Sequence, residues 1–195
     1  MKKVLTVSLF LLLGTVPAFA GVQKGQFEFS PTVGISQPVG DLDDGGNTGF
    51  VVGGRFGYNF TEKVSVGVAI NYNSFGIDDD LTALLPGIDI DLTSLEYVVD
   101  VRALLGNQPN SSPYVKGMLG AAKLELKFSA GAASLAFSES KLAFGGGVGY
   151  LFKGEGNIGG FVEADIINIS TSGSSSSYIS LRGGVSFFFG ASSGP

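Results

Sequence analysis

The sequence has no histidine and no cysteine. Hydrolase mechanisms that pair serine or aspartate with an imidazole base therefore have no base to use. No disulfide can staple the fold either, so stability must come from burial or from sheet closure. An enzyme is not expected, and no cofactor or metal is assigned. Long apolar runs are also missing. The one candidate, residues 4–13, follows Lys2 and Lys3 and is too short to span a bilayer as a helix. With Ala18-Phe19-Ala20 behind it, the pattern predicts a secretory signal peptide over residues 1–20, cleaved after Ala20. No cysteine follows the expected cleavage point, so a lipoprotein anchor is not expected. Residues 21–195 then suit one domain with 10 basic against 17 acidic residues, a net charge of −7, which speaks against nucleic acid as a partner.

What the chain does have is glycine and a thin, even spread of apolar residues. There are 31 glycines in 195 residues, well above the average usage of ~7%, and the mean hydropathy is +0.34. Residues 50–72 state the pattern that the rest repeats. Phe50, Val52, Gly54, Phe56, Tyr58 and Phe60, then Val64, Val66, Val68, Ile70 and Tyr72, alternate with Arg55, Asn59, Ser65, Asn71 and their neighbours. Period two marks strands with unlike faces. Thr61-Glu62-Lys63 between the halves is short enough only for a hairpin turn.

The same alternation predicts a first strand over residues 26–37, with Pro31 on its apolar face at a bulge or local break. A loop over 38–49 and the hairpin of 50–72 follow, then the longest connection, 75–94. A fourth strand spans 95–105 and a polar turn 107–112. The fifth strand, 113 to about 127, carries Lys116 and Lys123 on opposite parities, which one bulge would reconcile. A Ser/Ala-rich connection over 128–139 extends strands five and six in part beyond the membrane. The last strands are 142–152, 157–170 and 178–189, separated by the turn 153–156, with Lys153 exposed in it, and the serine-rich 172–177. Long and short connections alternate, as in a barrel with short turns at one end. The expected fold is all-β: an eight-stranded antiparallel up-and-down transmembrane β-barrel with both termini at the short-turn end.

A soluble sandwich would alternate as well, so the placement of charge matters. Glu28, Arg55, Glu96, Asp100, Arg102, Glu163, Asp165 and Arg182 all fall mid-strand on the parity opposite the aliphatic and aromatic row. Together with the signal peptide and more apolar surface than one sheet could hide, this favours lipid outside and an ion-paired interior. Arg55-Phe56-Gly57-Tyr58, Pro113-Tyr114-Val115, residues 145–150 and the closing strand 181–189 resemble the small eight-stranded outer-membrane barrels, the OmpA transmembrane-domain and OmpX-like group. The resemblance covers residues 26–189. It implies a Gram-negative-type outer membrane reached by export to the periplasm, and outer-membrane lipid and lipopolysaccharide as surroundings. It also implies periplasmic chaperones and the barrel-assembly machinery as partners during biogenesis. That group usually ends on the aromatic residue read in assembly, whereas residues 190–195 follow Phe189 here.

The interior charges have two readings. A barrel of this strand number is just wide enough to be filled by its own side chains, so the three arginines would pair with the five carboxylates and seal it. The inward row Ala143, Gly145, Gly147 and Gly149 would instead favour a narrow, porin-like channel for small or hydrophobic molecules. Asp41, Asp43 and Asp44, followed by two glycines and Asn47, partly resemble a calcium loop but lack its distal glutamate, and Asp78, Asp79 and Asp80 make the next loop acidic as well. Solvated loops are the simpler reading; divalent cations bridging lipopolysaccharide phosphates are the functional one. Residues 81–88, LTALLPGI, are apolar within an acidic loop and suit a cap over the mouth or contact with an extracellular partner. The expected role is structural, adhesive or surface-interacting, with the narrow channel as the alternative.

Overall fold

The computed structural model describes residues 22–40, 46–77, 87–106, 111–131, 133–153, 156–170 and 175–190. They form eight strands: β1 (Phe27–Gly40), β2 (Gly46–Asn59), β3 (Val64–Ile77), β4 (Asp89–Leu104), β5 (Ser111–Ala130), β6 (Ala133–Lys153), β7 (Ile158–Ser170) and β8 (Ser175–Phe189). Each pairs antiparallel with its sequence neighbours, and β1 meets β8 to close the barrel. Closure leaves no sheet edge at membrane depth, which is what lets a β-structure satisfy its backbone in lipid. The expected fold class is the observed one.

Alternation sets the faces. Val33, Val68, Val99, Leu119, Val148, Val162 and Leu181 stand outward with 50–62% exposure, while all eight mid-strand charges are buried. Where β1 closes on β8, Phe27 lies 5.7, 5.0 and 6.0 Å from the rings of Phe56, Tyr58 and Phe189, so an aromatic cluster covers the seam near the short-turn end. Pro31 causes a local break, not a bulge: pairing with β8 lapses after Phe29↔Phe187 and resumes in the same register at Thr32↔Gly184. The register shift lies elsewhere, between Asn47 and Phe50 of β2.

Three expectations need correction. Residues 38–40 and 46–49 are strand, not loop, and so are 75–77 and 89–94, which places Asp89 and Asp91 on β4. The β5 register contains no bulge, since its pairings to β4 and β6 run unshifted along its length. Lys116 points inward and Lys123 outward because the strand leaves the membrane between them. Residues 128–130 and 133–139 are strand, so the extension of strands five and six expected there is observed, and over more than part of the connection. Finally, Lys153 closes β6 with its side chain buried (2% exposed) instead of sitting in an exposed turn.

β5 and β6 have 20 and 21 residues, where about 9–11 suffice to cross a bilayer. With the start of β4 they rise above the mouth as a three-stranded blade, in which polarity is inverted. Ile90, Leu92, Leu124, Leu126, Phe128, Leu135 and Phe137 share the mouth-facing parity, interrupted on β6 by the paired Glu139 and Lys141, and Asp91, Thr93, Lys123, Glu125, Lys127, Ser138 and Ser140 face away. Lys123 pairs with Glu125 at 3.2 Å on the outer side. Lipid demands an apolar outer face and water a polar one, so the change marks the membrane boundary.

Candidate functional site: the ionic core of the barrel

The interior is layered. Near the short-turn end Tyr114, Leu151, Phe161 and Phe188 pack together, joined by Leu104 and by Val22 from the segment preceding β1. That segment is tied under the barrel by Gly25 N–H donating to the Asn59 carbonyl and Asn59 N–H to that of Gln26. Lys153 belongs to this layer, its Nζ 3.4 Å from Gln26 Oε1 and 4.8 Å from the Phe188 ring centre. Toward the opposite mouth Phe75, Val98, Met118, Ala122, Ala143, Ile167, Ile169 and Tyr178 form a second apolar cluster. The charges lie between these layers.

They sort into two groups. Glu28 of β1 is the hub of the first: Arg55 Nη1 donates to it at 3.1 Å and Arg102 Nη1 at 3.0 Å, while Ser30 and Ser186 hydroxyls donate at 2.7 and 3.0 Å. Arg55 also grips Asp100, with Nε 2.9 Å from both carboxylate oxygens. The second group joins Lys116 to Glu163 and Asp165, each at 3.0 Å, and Arg182 to the same two carboxylates. Tyr114 links the groups, because the Arg102 guanidinium lies 4.5 Å above its ring and its hydroxyl donates to Glu163 at 2.8 Å. Each group holds two cations and two anions, so each is neutral. Charges this deep are tolerated only when paired and hydrogen-bonded.

Glu96 stands apart. Among the described residues no ion pair includes it; the side-chain amides of Asn71 and Asn73 donate to it at 3.1 and 2.7 Å. The expected arginine partner is thus replaced by two amides. Lys116 is the cation that the sequence reading omitted, although its parity with Tyr114 and Met118 would have placed it inward. The inward glycines of β6 are seats for neighbouring side chains. A Cβ at Gly149 would collide with the Tyr114 ring, and one at Gly147 with the Asp165 carboxylate. A cavity of about 20 Å³ remains beside Thr32, Arg55, Asp100, Arg102 and Arg182. That is room for about one water molecule. Asp41, Asp43, Asp44, Asp78, Asp79 and Asp80, residues 81–86 and residues 1–20 lie outside the described residues.

The family model for the outer membrane protein beta-barrel domain matches residues 6–189. The chain belongs to that family. It is accordingly an outer-membrane barrel. A search of curated protein sequences finds no match. Among solved structures it is similar to Ail, the attachment invasion locus protein of Yersinia pestis, at 22% identity and a TM-score of 0.56, over 85% of this chain and 100% of that one. It is similar to Neisserial surface protein A at 16% identity and a TM-score of 0.61, with the same coverages. OprG from Pseudomonas aeruginosa matches at 14% identity and a TM-score of 0.52, over 88% of this chain and 99% of that one. At these identities the likeness is one of fold.

Proposed function

We propose that this protein is a closed, non-catalytic barrel that holds a surface-interaction platform in the outer membrane. The observation that supports it is the ionic core, in which two neutral groups meet across Tyr114 between two apolar layers. A conducting lumen needs a continuous wet path. The cavities beside the core and beneath it, about 20 and 10 Å³, are each far smaller than such a path. The glycine row that would favour a narrow channel is occupied by Tyr114 and Asp165, which also supports the closed reading. In this reading lipid and lipopolysaccharide surround the apolar belt, and the blade of β4, β5 and β6 reaches beyond it toward a partner. Planar-bilayer recording of the folded full chain tests the closed state. Silence across the usual voltage range is expected, and reproducible single-channel steps would overturn it in favour of the channel.

A further inference from the structure

Among the described residues, Lys116 is the one lysine of the ionic core; the other three cations are arginines. An arginine pairs with carboxylates at least as well and stays charged, whereas a lysine can give up a proton and become a nucleophile. Cross-strand register sets Lys116 of β5, Gly147 of β6 and Asp165 of β7 in one row. Because Gly147 has no side chain, the Asp165 carboxylate lies over it, toward the lysine; a Cβ there would collide with Oδ1. The two residues are 49 apart in sequence, so only the folded barrel brings them together.

Nζ of Lys116 lies 3.0 Å from each carboxylate oxygen of Asp165. Equal distances put it on the plane that bisects the carboxyl group, which leaves about 3–3.5 Å to Cγ, the separation of a near-attack pair. Only the Oδ2 contact is a hydrogen bond; Oδ1 is buried without a hydrogen-bond partner among the described residues. The same Nζ stands 3.0 Å from Glu163 Oε1, while the Tyr114 hydroxyl holds the other oxygen of Glu163. Arg182 donates to Asp165 Oδ2. All three reacting side chains are buried, with Asp165 fully so. A nucleophile, a base, an electrophilic carbon and a cation beside its oxygen thus share one dry site.

We infer that Lys116 and Asp165 join in an intramolecular isopeptide bond once the barrel has closed, with Glu163 as the base. Glu163 takes a proton from the Lys116 ammonium, and the neutral Nζ attacks Asp165 Cγ to form the N–C bond. Arg182 stabilises the negative charge left on Oδ2. Two protons pass in turn from Nζ through Glu163 to Oδ1; the Cγ–Oδ1 bond then breaks, Oδ1 departs as water and Oδ2 becomes the amide carbonyl. Ammonium and carboxylate become amide and water, with no oxidant, reductant or added proton, and Glu163 ends as it began. The bond forms once per chain and turns nothing over, so the barrel stays non-catalytic. The group also stays neutral, with two cations and two carboxylates before the reaction and Arg182 with Glu163 after it. The cavity of about 20 Å³ borders Lys116 and Glu163 and has room for the water released. In bulk solvent, ionisation and water oppose such a condensation; here water is excluded and a well-oriented pair reacts as if at about 10⁵ M or more.

The test is the intact mass of the full chain, folded into lipid vesicles and then denatured for mass spectrometry. A mass below that of the sequence by one water is expected. Trypsin should release residues 103–123 joined to residues 154–182, because the modified Lys116 is no longer a cleavage site. Chain kept unfolded in urea should show the full mass, since nothing then brings the two residues together. Lys116→Arg keeps the charge and should keep the unheated gel mobility of the folded barrel, but it should also show the full mass. Glu163→Gln should slow the loss of water about a hundredfold or more, the lower end of what a positioned base supplies; an unchanged rate would overturn the route through Glu163. Full mass in the folded parent after several days would overturn the inference and leave an ordinary ion pair. Water loss that persists in Lys116→Arg, or that comes without the joined peptides, would do the same, because the water would then have left from elsewhere.

Discussion

Glu28 is the position at which the ionic core can be tested most sharply, because its removal strands one cation and spares the other. Arg55 would keep Asp100, held by Nε at 2.9 Å to both oxygens and by Nη2 at 2.8 Å. Arg102, 2% exposed, has Glu28 as its one ion-pair partner among the described residues, and it lies over the faces of Tyr114 and Phe161 at 4.5 and 5.8 Å, with Asp100 and Glu163 acting on it from farther away. The Ser30 and Ser186 hydroxyls are 2.8 Å apart and can satisfy each other. Glu28→Leu therefore leaves one uncompensated buried charge, and a broken buried pair of this kind costs about 3–5 kcal/mol. Cation–π contact with Tyr114 offsets at most about 2 kcal/mol of that. Arg102→Met leaves Glu28 with Arg55 and two hydroxyls, so its cost should fall at or below the lower end of the same range, about 3 kcal/mol. The double variant removes both desolvated groups and should lie close to the parent, as apolar replacements of buried pairs often do. Urea unfolding from lipid vesicles would measure this double-mutant cycle. The chain has no tryptophan, so far-UV circular dichroism and the mobility of unheated samples are the appropriate signals. Parental midpoints for both single variants, or a double variant as impaired as the two singles combined, would refute the account of the core.

Two further predictions concern the barrel wall. Val99 is the outward residue near the middle of β4 and pairs with Val68, so Val99→Arg sets a charge against lipid at a cost of about 2–4 kcal/mol at the bilayer midplane; a folding yield in vesicles equal to the parent's would contradict the lipid-facing assignment. Gly149→Ala should drive the Tyr114 ring off its seat and loosen its bond to Glu163, costing about 1–3 kcal/mol as other overpacking does. Gly117→Ala meets nothing within 4 Å and should leave the unfolding midpoint unchanged. Indistinguishable midpoints for the two alanine variants would mean that Tyr114 is not seated as described.

Strand number, order and facing were legible because period-two alternation survives wherever lipid lies on one side and a polar interior on the other. Strand ends were not. Above the membrane the outward face need only be polar, so the aspartate, threonine and serine that read as loop on 89–94 can continue a ladder. The inverted polarity there also made Lys116 and Lys123 look like a register fault. Lys153 was misread from its Gly154-Glu155-Gly156 neighbours, although the inward row 145, 147, 149, 151 runs on to it. Individual inward charges could be read from parity, but not their partners. Glu28 and Arg102 are 74 residues apart and meet across the lumen from β1 and β4, a contact with no local trace. Glu96 shows the same limit, since Asn71 and Asn73 of the neighbouring β3 outcompete any arginine by proximity.

The membrane boundary itself can be traced around the closed sheet. Moving away from the short turns, the outward row turns from apolar to polar after Ile35 on β1, Phe50 on β2, Tyr72 on β3, Leu95 on β4, Ala121 on β5, Leu142 on β6, Ile166 on β7 and Ile179 on β8. Cross-strand pairing joins all eight positions two by two: Ile35 to Phe50, Tyr72 to Leu95, Ala121 to Leu142 and Ile166 to Ile179. A soluble sandwich has no reason to change the polarity of every outward row at one connected level, whereas a slab of hydrocarbon imposes that change on whatever passes through it. From the same ring, β7 continues for only four residues, to Ser170, but β6 extends nine beyond Leu142, back to Ala133. The hairpin turn at Gly131, with its left-handed backbone (φ +58°), is thus carried well clear of the membrane. A β5–β6 hairpin shortened to end level with β7 should fold and close unchanged, because every pairing of the ring lies below the cut. Loss of the barrel in that deletion would show that the blade supports closure and is not a separate platform.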